Sequence, residues 1–294
     1  MNGLPLRAHA RVAAPVVMIA SGVSLYAGAA LAVGLFHTFP PAIVAWMRIA
    51  AAGLILVIIQ RPKIQSFFGT SGRLAMAFGV VTLGMNMVFY EAIARLPLGT
   101  AVAIEFLGPI AVAAWGSHSR RDWSALLLAG VGVLVLSGAQ WAASPSGVMY
   151  ALTAAMLWAG YIMLGSRVAK NSAYAGARDA LAIGFAWSAV VSTPLVGAGY
   201  FLVWGSGIAP GWHVDALELV GLALGLGMLS AVIPYSLDQL VMKIAGPGYF
   251  ALLLALLPLT ASLLGAVALG QMLSIVELLG IAAVVAAVAL REPG

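Results

Sequence analysis

Apolar residues fill this chain in long continuous runs, separated by short polar breaks. The runs fall at 14–36, 41–60, 73–94, 98–117, 123–141, 147–165, 178–203, 216–242, 247–270 and 274–290. A helix of roughly 20 apolar residues crosses the hydrocarbon core of a bilayer, so each run is long enough to span. The runs are continuous rather than alternating, which selects helices over the strands of a membrane barrel. Two breaks are very short, at Leu96-Pro97-Leu98-Gly99 and Gly246-Pro247-Gly248. The pattern predicts an all-α polytopic membrane protein of ten transmembrane helices.

Basic residues orient that pattern. Arg7, Arg11, Arg61, Lys63, Arg73, Arg120, Arg121, Arg167, Lys170, Arg178, Lys243 and Arg291 fall on one side, and Arg95 alone on the other. Cytoplasmic loops carry the excess of Lys and Arg, so both termini are predicted to be cytoplasmic. Composition agrees with lipid as the solvent. Of 294 residues, 63% are hydrophobic and 8% charged, against ~25% charged in soluble domains. The net charge of +5 is therefore read as a topology signal rather than a nucleic-acid footprint. The first run is longer than the roughly 7–15 residues of a signal-peptide core, and is read as a retained first span. Cysteine is absent, which excludes disulfides, thiolate metal sites and Cys nucleophiles.

The two halves resemble each other. "SLYAG" (Ser24–Gly28) echoes "MLWAG" (Met156–Gly160), and Glu91 followed by Gly99 echoes Asp238 followed by Gly246. The predicted organisation is a cytoplasmic N-terminus (1–13), a five-helix repeat (14–141), a second five-helix repeat (147–290) and a cytoplasmic C-terminus (291–294). An odd number of helices per repeat inverts the second copy. Such repeats frame a midplane site in many secondary transporters.

Four charges are read as lying within the spans: Arg48, Glu91, Glu105 and Asp238. A central charge costs about 2.5–3.5 kcal/mol on insertion scales, so each needs a partner or a task. Glu91 and Arg95 are i,i+4 at a helix end and are read as a structural pair. Asp238, near Lys243, is read in the same way. Arg48 and Glu105 each lie about seven residues inside their helices, roughly 10 Å deep. At a common depth they are either a mutual ion pair or contacts for a charged or zwitterionic ligand.

Proline and aromatic residues fill in the candidate site. Pro109 leaves the Glu105 carbonyl without its helical donor, and Pro234 and Pro258 do the same at Ser230 and Leu254. Asn86 and Tyr90 share one helix face, as do Trp158 and Tyr161, while Tyr235 follows Pro234. The candidate substrate-binding residues are Arg48, Asn86, Tyr90, Glu105, Trp158, Tyr161 and Tyr235. The competing reading of the aromatics is packing and interfacial belts.

"GMNMVFYEAIARLPLGTAVAIEFLGPIAVA" (Gly84–Ala113) and "SAVIPYSLDQLVMKI" (Ser230–Ile244) resemble amino-acid exporters of the EamA-type drug/metabolite transporter superfamily. The resemblance is nearest to threonine/homoserine exporters, with aromatic amino-acid exporters as cousins. It implies two inverted five-helix repeats around a central cavity in the inner membrane, and efflux of small neutral amino acids by alternating access. No cofactor or metal is implied, and the partners are the amino-acid substrate and the bilayer. Two positions depart from many relatives: Leu257 precedes Pro258 where they carry an acid, and Gln271 follows Gly270 where they carry Glu. The alternative within the same fold is a broad drug or metabolite exporter. A membrane-embedded enzyme is disfavoured, because no H-E-x-x-H, G-x-S-x-G or paired-Asp motif is present. His9, His37, His118 and His213 all fall in tails or loops. Nothing in the sequence specifies an oligomer.

Overall fold

The structure, a computed structural model, describes residues 4–116, 120–169, 177–204, 215–245, 253–254 and 256–290. These form helices α1 (Leu4–Leu35), α2 (Pro41–Gln60), α3 (Gly69–Ile93), α4 (Leu98–Glu105), α5 (Leu107–Gly116) and α6 (Arg120–Trp141). They continue with α7 (Pro145–Ala169), α8 (Ala177–Trp204), α9 (Ala216–Gly227), α10 (Ile233–Ala245), α11 (Leu256–Leu269) and α12 (Ile275–Leu290). No strand occurs among the described residues. Six stretches are long and apolar enough to cross a membrane: Ala13–Leu35, Pro41–Gln60, Gly69–Ile93, Pro145–Val168, Asp179–Ala198 and Leu217–Asp238. Four shorter apolar stretches are also helical, at Leu98–Val112, Trp123–Gly138, Leu256–Leu269 and Ile275–Leu290. They fall on the four remaining runs of the sequence pattern. The Gly246-Pro247-Gly248 turn lies outside the described residues.

Helix boundaries follow local chemistry. Pro41 opens α2 at a position where its missing N–H costs nothing. Pro97 precedes α4 in extended backbone, and the Leu98 amide, which has no helical acceptor at the first turn, donates to Gln271 Oε1 at 2.8 Å. α1 begins well before the predicted residue 14, because the polar stretch ahead of the membrane continues the helix. One span is a compound element. α9 passes through a π-helical turn, Met228–Val232, into α10. Such turns are rare and frequently sit at functional sites.

Large apolar side chains cover the outside as well as the core. Leu127, Leu134, Leu195, Met156 and Val267 point outward, while Ala45, Ala52, Ala75, Ala101 and Ala103 are buried between helices. Small residues let helices approach in a solvent as apolar as their own side chains. α3 packs on α7 and α8, α2 on α8 and α9, α1 on α10 and α11, α4 on α7 and α11, and α6 on α12. The α3–α8 crossing is the tightest of these. A Cβ on Gly79 would lie 1.9 Å from the Gly184 carbonyl oxygen, which is backbone and cannot yield cheaply. By contrast, a Cβ on Gly138 meets nothing within 4 Å. Gly79→Val is expected to lower the melting temperature sharply or prevent accumulation, with at least the 1–3 kcal/mol typical of overpacking. Gly138→Val is the control and should melt like the parent in a detergent-based thermal-shift measurement.

The structure also accounts for two acids at the helix ends. Glu91 Oε2 accepts from Arg95 Nη1, as the i,i+4 spacing predicts, and Glu91 Oε1 accepts from the Ala42 amide at 3.3 Å. Glu277 is a buried acid outside the four charges counted from sequence. Its carboxylate accepts from Thr100 Oγ1 (3.1 Å), Gln140 Nε2 (2.7 Å), the Ser274 amide (2.9 Å) and Ser274 Oγ (2.8 Å). Neutral donors on α4, α6 and the turn before α12 thus satisfy it without a cation.

Candidate functional site

Two breaks in the helices build the site. α4 stops at Glu105, and α5 begins at Leu107 after one non-helical residue. Pro109 has no N–H to give the Glu105 carbonyl, so the helix is interrupted where the carboxylate sits. The second break is the π-turn followed by Pro234. Here the carbonyl released by proline has found a charged donor: Arg48 Nη2 bonds the Ser230 oxygen. Side chains of α1 tie down the same turn, with Ser24 Oγ donating to the Leu229 carbonyl at 2.6 Å.

Between these breaks lies a cavity of about 270 Å³. A water occupies ≈ 30 Å³ of liquid, so the space is that of a small solute rather than of a stray solvent molecule. Arg48, Glu105 and Asp238 line it, together with Asn86 and the rings of Tyr26, Trp158, Tyr161 and Tyr235. Other rings hold several of these in place. Phe78 stacks on Tyr161 at 4.9 Å, Phe106 meets Trp158 edge-on at 4.9 Å, and Phe185 meets Tyr235 at 6.1 Å. Paired rings of this kind fix orientation as well as bury area.

The charges are disposed unevenly. Arg48 is 3% exposed. Its Nη1 donates to Tyr90 Oη at 3.3 Å, its guanidinium lies 5.6 Å from the centre of that ring, and its Nε has no partner among the described residues. Glu105 is 7% exposed, and no ion pair joins it to Arg48. Asp238 accepts from Ser21 Oγ at 2.6 Å. The mutual ion pair weighed for Arg48 and Glu105 is therefore not formed. Arg48 spends its terminal nitrogens on a phenol and a carbonyl instead.

Most of the candidate residues come together in one place. Arg48, Asn86, Glu105, Trp158, Tyr161 and Tyr235 all line the cavity, as do Pro109 and Pro234. Asn86 also donates to the Thr82 carbonyl at 2.7 Å. Tyr90 does not reach the cavity; it is fully buried behind Arg48 and orients the guanidinium. Pro258 is buried beside the lining residue Leu257 rather than lining the cavity itself. Asp238 reverses the sequence reading, for it faces the cavity rather than serving only as an interfacial acid. The Lys243 side chain lies outside the described residues. The signal for Asp238 was its spacing, four residues after Pro234 and three after Tyr235 on one helical face. Tyr26 also belongs to the site, as its correspondence with Trp158 in the repeat suggested. Among the described residues no cluster of three His, Asp or Glu is placed to hold a metal.

No family model matches the chain. The threonine/homoserine exporter RhtA of Escherichia coli K12 is 33% identical over 276 residues, covering 92% of this chain and 88% of that protein. The protein of the same name from Salmonella typhimurium SL1344 is 32% identical over 277 residues, with the same coverage. A solved crystal structure overlays on 96% of this chain and 97% of its own with a TM-score of 0.60, at 18% identity, a likeness of fold alone. Identity of this level along nearly the whole length is a family relationship: the chain belongs to the family of the threonine/homoserine exporter RhtA, amino-acid exporters of the drug/metabolite transporter superfamily.

Proposed function

We propose that this protein is a secondary transporter of the inner membrane that exports small neutral amino acids by alternating access. One observation carries the reading: a buried arginine with an unpartnered Nε shares a cavity with two carboxylates. A zwitterion presents a carboxylate and an ammonium, and it needs a cation for one and an acid for the other. Arg48 supplies the first and Glu105 the second. Charge-assisted bonds of this kind are about twice as strong as neutral ones. The family's threonine/homoserine exporters make threonine and homoserine the first candidates, with methionine and aromatic amino acids next. In proteoliposomes, counterflow with labelled threonine, methionine and phenylalanine should be driven by at least one of them. Counterflow with none of the three, from protein that is folded and inserted, would rule the reading out.

The helix pairings support an arrangement of ten spans in two inverted repeats. If α1 exchanges with α7, α2 with α8, α3 with α9–α10, α4–α5 with α11, and α6 with α12, then the α3–α7 contact maps onto α1–α10. The α4–α7 contact maps onto α1–α11, and the α3–α8 contact onto α2–α9. A two-fold exchange that preserves neighbours is what alternating access between repeats requires. With both termini cytoplasmic, the α6–α7 turn faces outward. Cysteine is absent, so Ala143→Cys offers a single thiol in that exposed turn. It should react with a membrane-impermeant maleimide in intact cells. Labelling only after permeabilisation would reverse the topology. Ser206, on the same side by sequence, lies outside the described residues.

A broad metabolite or drug exporter is the second reading, favoured by the aromatic lining. Trp158→Ala and Tyr161→Ala separate the two. In an amino-acid exporter these substitutions should alter the ranking among threonine, methionine and phenylalanine more than the amount of protein in the membrane. An unchanged ranking in both would return the rings to a packing role.

A further inference from the structure

Among the described residues the cavity lining holds one base and two acids. If Arg48 and Glu105 meet the two ends of a zwitterion, Asp238 is left over. Its one hydrogen bond among the described residues is from Ser21, a neutral hydroxyl. It is on α10, whereas Glu105 ends α4, so the two acids enter the cavity from different halves of the molecule. Among the described residues, a neutral substrate leaves the lining with one more carboxyl group than base, which a proton or a further cation would even out.

We infer that Asp238, with Ser21, forms a second acidic subsite that takes a mobile monocation in addition to the substrate's own ammonium. This rests on the proposed binding of a zwitterion by Arg48 and Glu105. The geometry provides what such a subsite needs. Asp238 lies on the same face of α10 as Tyr235, whose ring also lines the cavity. Ser21 from α1 bonds it, and the titratable groups that share the cavity lining with it are Tyr26 from α1, Arg48 from α2, Glu105 from α4, Tyr161 from α7 and Tyr235 from its own helix. The only fixed cation in that set is Arg48, and its terminal nitrogens are engaged by Tyr90 and the Ser230 carbonyl. Aromatic faces around an acid favour a cation further. Ser21 also reaches the Pro234 carbonyl at 3.3 Å, so the subsite sits against the helix break itself.

Two monocations fit this chemistry: the side-chain ammonium of a basic amino acid, and a proton exchanged for the cargo. Two ratios tell them apart in proteoliposomes. One is lysine or ornithine counterflow relative to threonine counterflow. The other is threonine flux driven by a pH gradient relative to threonine counterflow. Asp238→Asn is expected to lower at least one ratio tenfold or more. Loss of the first identifies a basic side chain, and loss of the second a proton. If neither ratio moves the inference fails, and it fails equally if folded Asp238→Asn loses threonine counterflow itself. Absence of threonine, methionine and phenylalanine counterflow in the parent protein fails the zwitterion reading instead. The exchange Ser21→Asp with Asp238→Ser guards against misfolding of Asp238→Asn, since it returns an acid to the same hydrogen bond. That double variant should keep both ratios within about threefold of the parent. A folded double variant in which the affected ratio still collapses would overturn the proposal.

Discussion

Arg48→Met is expected to reduce amino-acid counterflow at least a hundredfold. Two losses combine. On the proposed reading the substrate carboxylate loses a charged donor, and a hydrogen bond to a charged group is worth ≈ 1.5–3 kcal/mol, or roughly ten- to 150-fold. The cavity also loses the base that shares its lining with two acids, which raises the cost of keeping those acids in the membrane interior. Stability falls with it, because the Ser230 carbonyl and the Tyr90 hydroxyl lose their donor. Arg48→Lys separates these effects. A lysine keeps the charge but cannot reproduce the planar fork that spans a phenol and a carbonyl at once. It should insert, melt between the parent and Arg48→Met, and transport measurably more than Arg48→Met. Equal, severe loss in both would mean that the fork, not the charge, is what transport requires.

Glu105→Gln carries the second large effect. Glutamine keeps the shape and removes the charge. The carboxylate has no ion pair with Arg48, so its removal leaves the arginine's existing bonds intact. The variant should therefore fold and insert normally, and lose most threonine counterflow or its dependence on pH. The absence of that ion pair also settles what the double variant should do. Had the two charges bonded only each other, Arg48→Met with Glu105→Gln would restore folding and transport together, as apolar replacement of a buried pair often does. With their partners elsewhere, the double variant is expected to stay inactive. Recovery of full counterflow in the double variant would return Glu105 to a structural role.

The fold was legible to the extent that it is a matter of hydropathy. Continuous apolar runs and Pro41 and Pro97 at helix starts follow from local sequence. The interruption beside Glu105 was visible in Pro109, and the released Ser230 carbonyl in Pro234. What took that carbonyl was not visible, since Arg48 is 182 residues away in sequence. Three-dimensional partnership also decides the acids. Glu91 and Arg95 are a local pair and could be read from spacing alone. Asp238 has a comparable depth and a similar neighbourhood in sequence, yet the α1–α10 packing turns it toward the cavity. Glu277 is not among the four charges read from the sequence, and nothing local marks it as buried. Its burial comes from Thr100 and Gln140 on two other helices. Tyr90 shares a helix face with Asn86, but a full turn further along it meets Arg48 rather than the cavity. The π-turn has no composition of its own that would mark it in the sequence.

The central claim is that one cavity reads both ends of a zwitterion, with Arg48 at the carboxylate and Glu105 at the ammonium. Competition against labelled threonine in proteoliposomes tests it most directly. Unlabelled threonine is compared with its methyl ester, which lacks the carboxylate charge, and with N-acetylthreonine, which lacks the ammonium. The account predicts that threonine competes and that each analogue needs at least tenfold more to do so. Analogues that compete as well as threonine would contradict it.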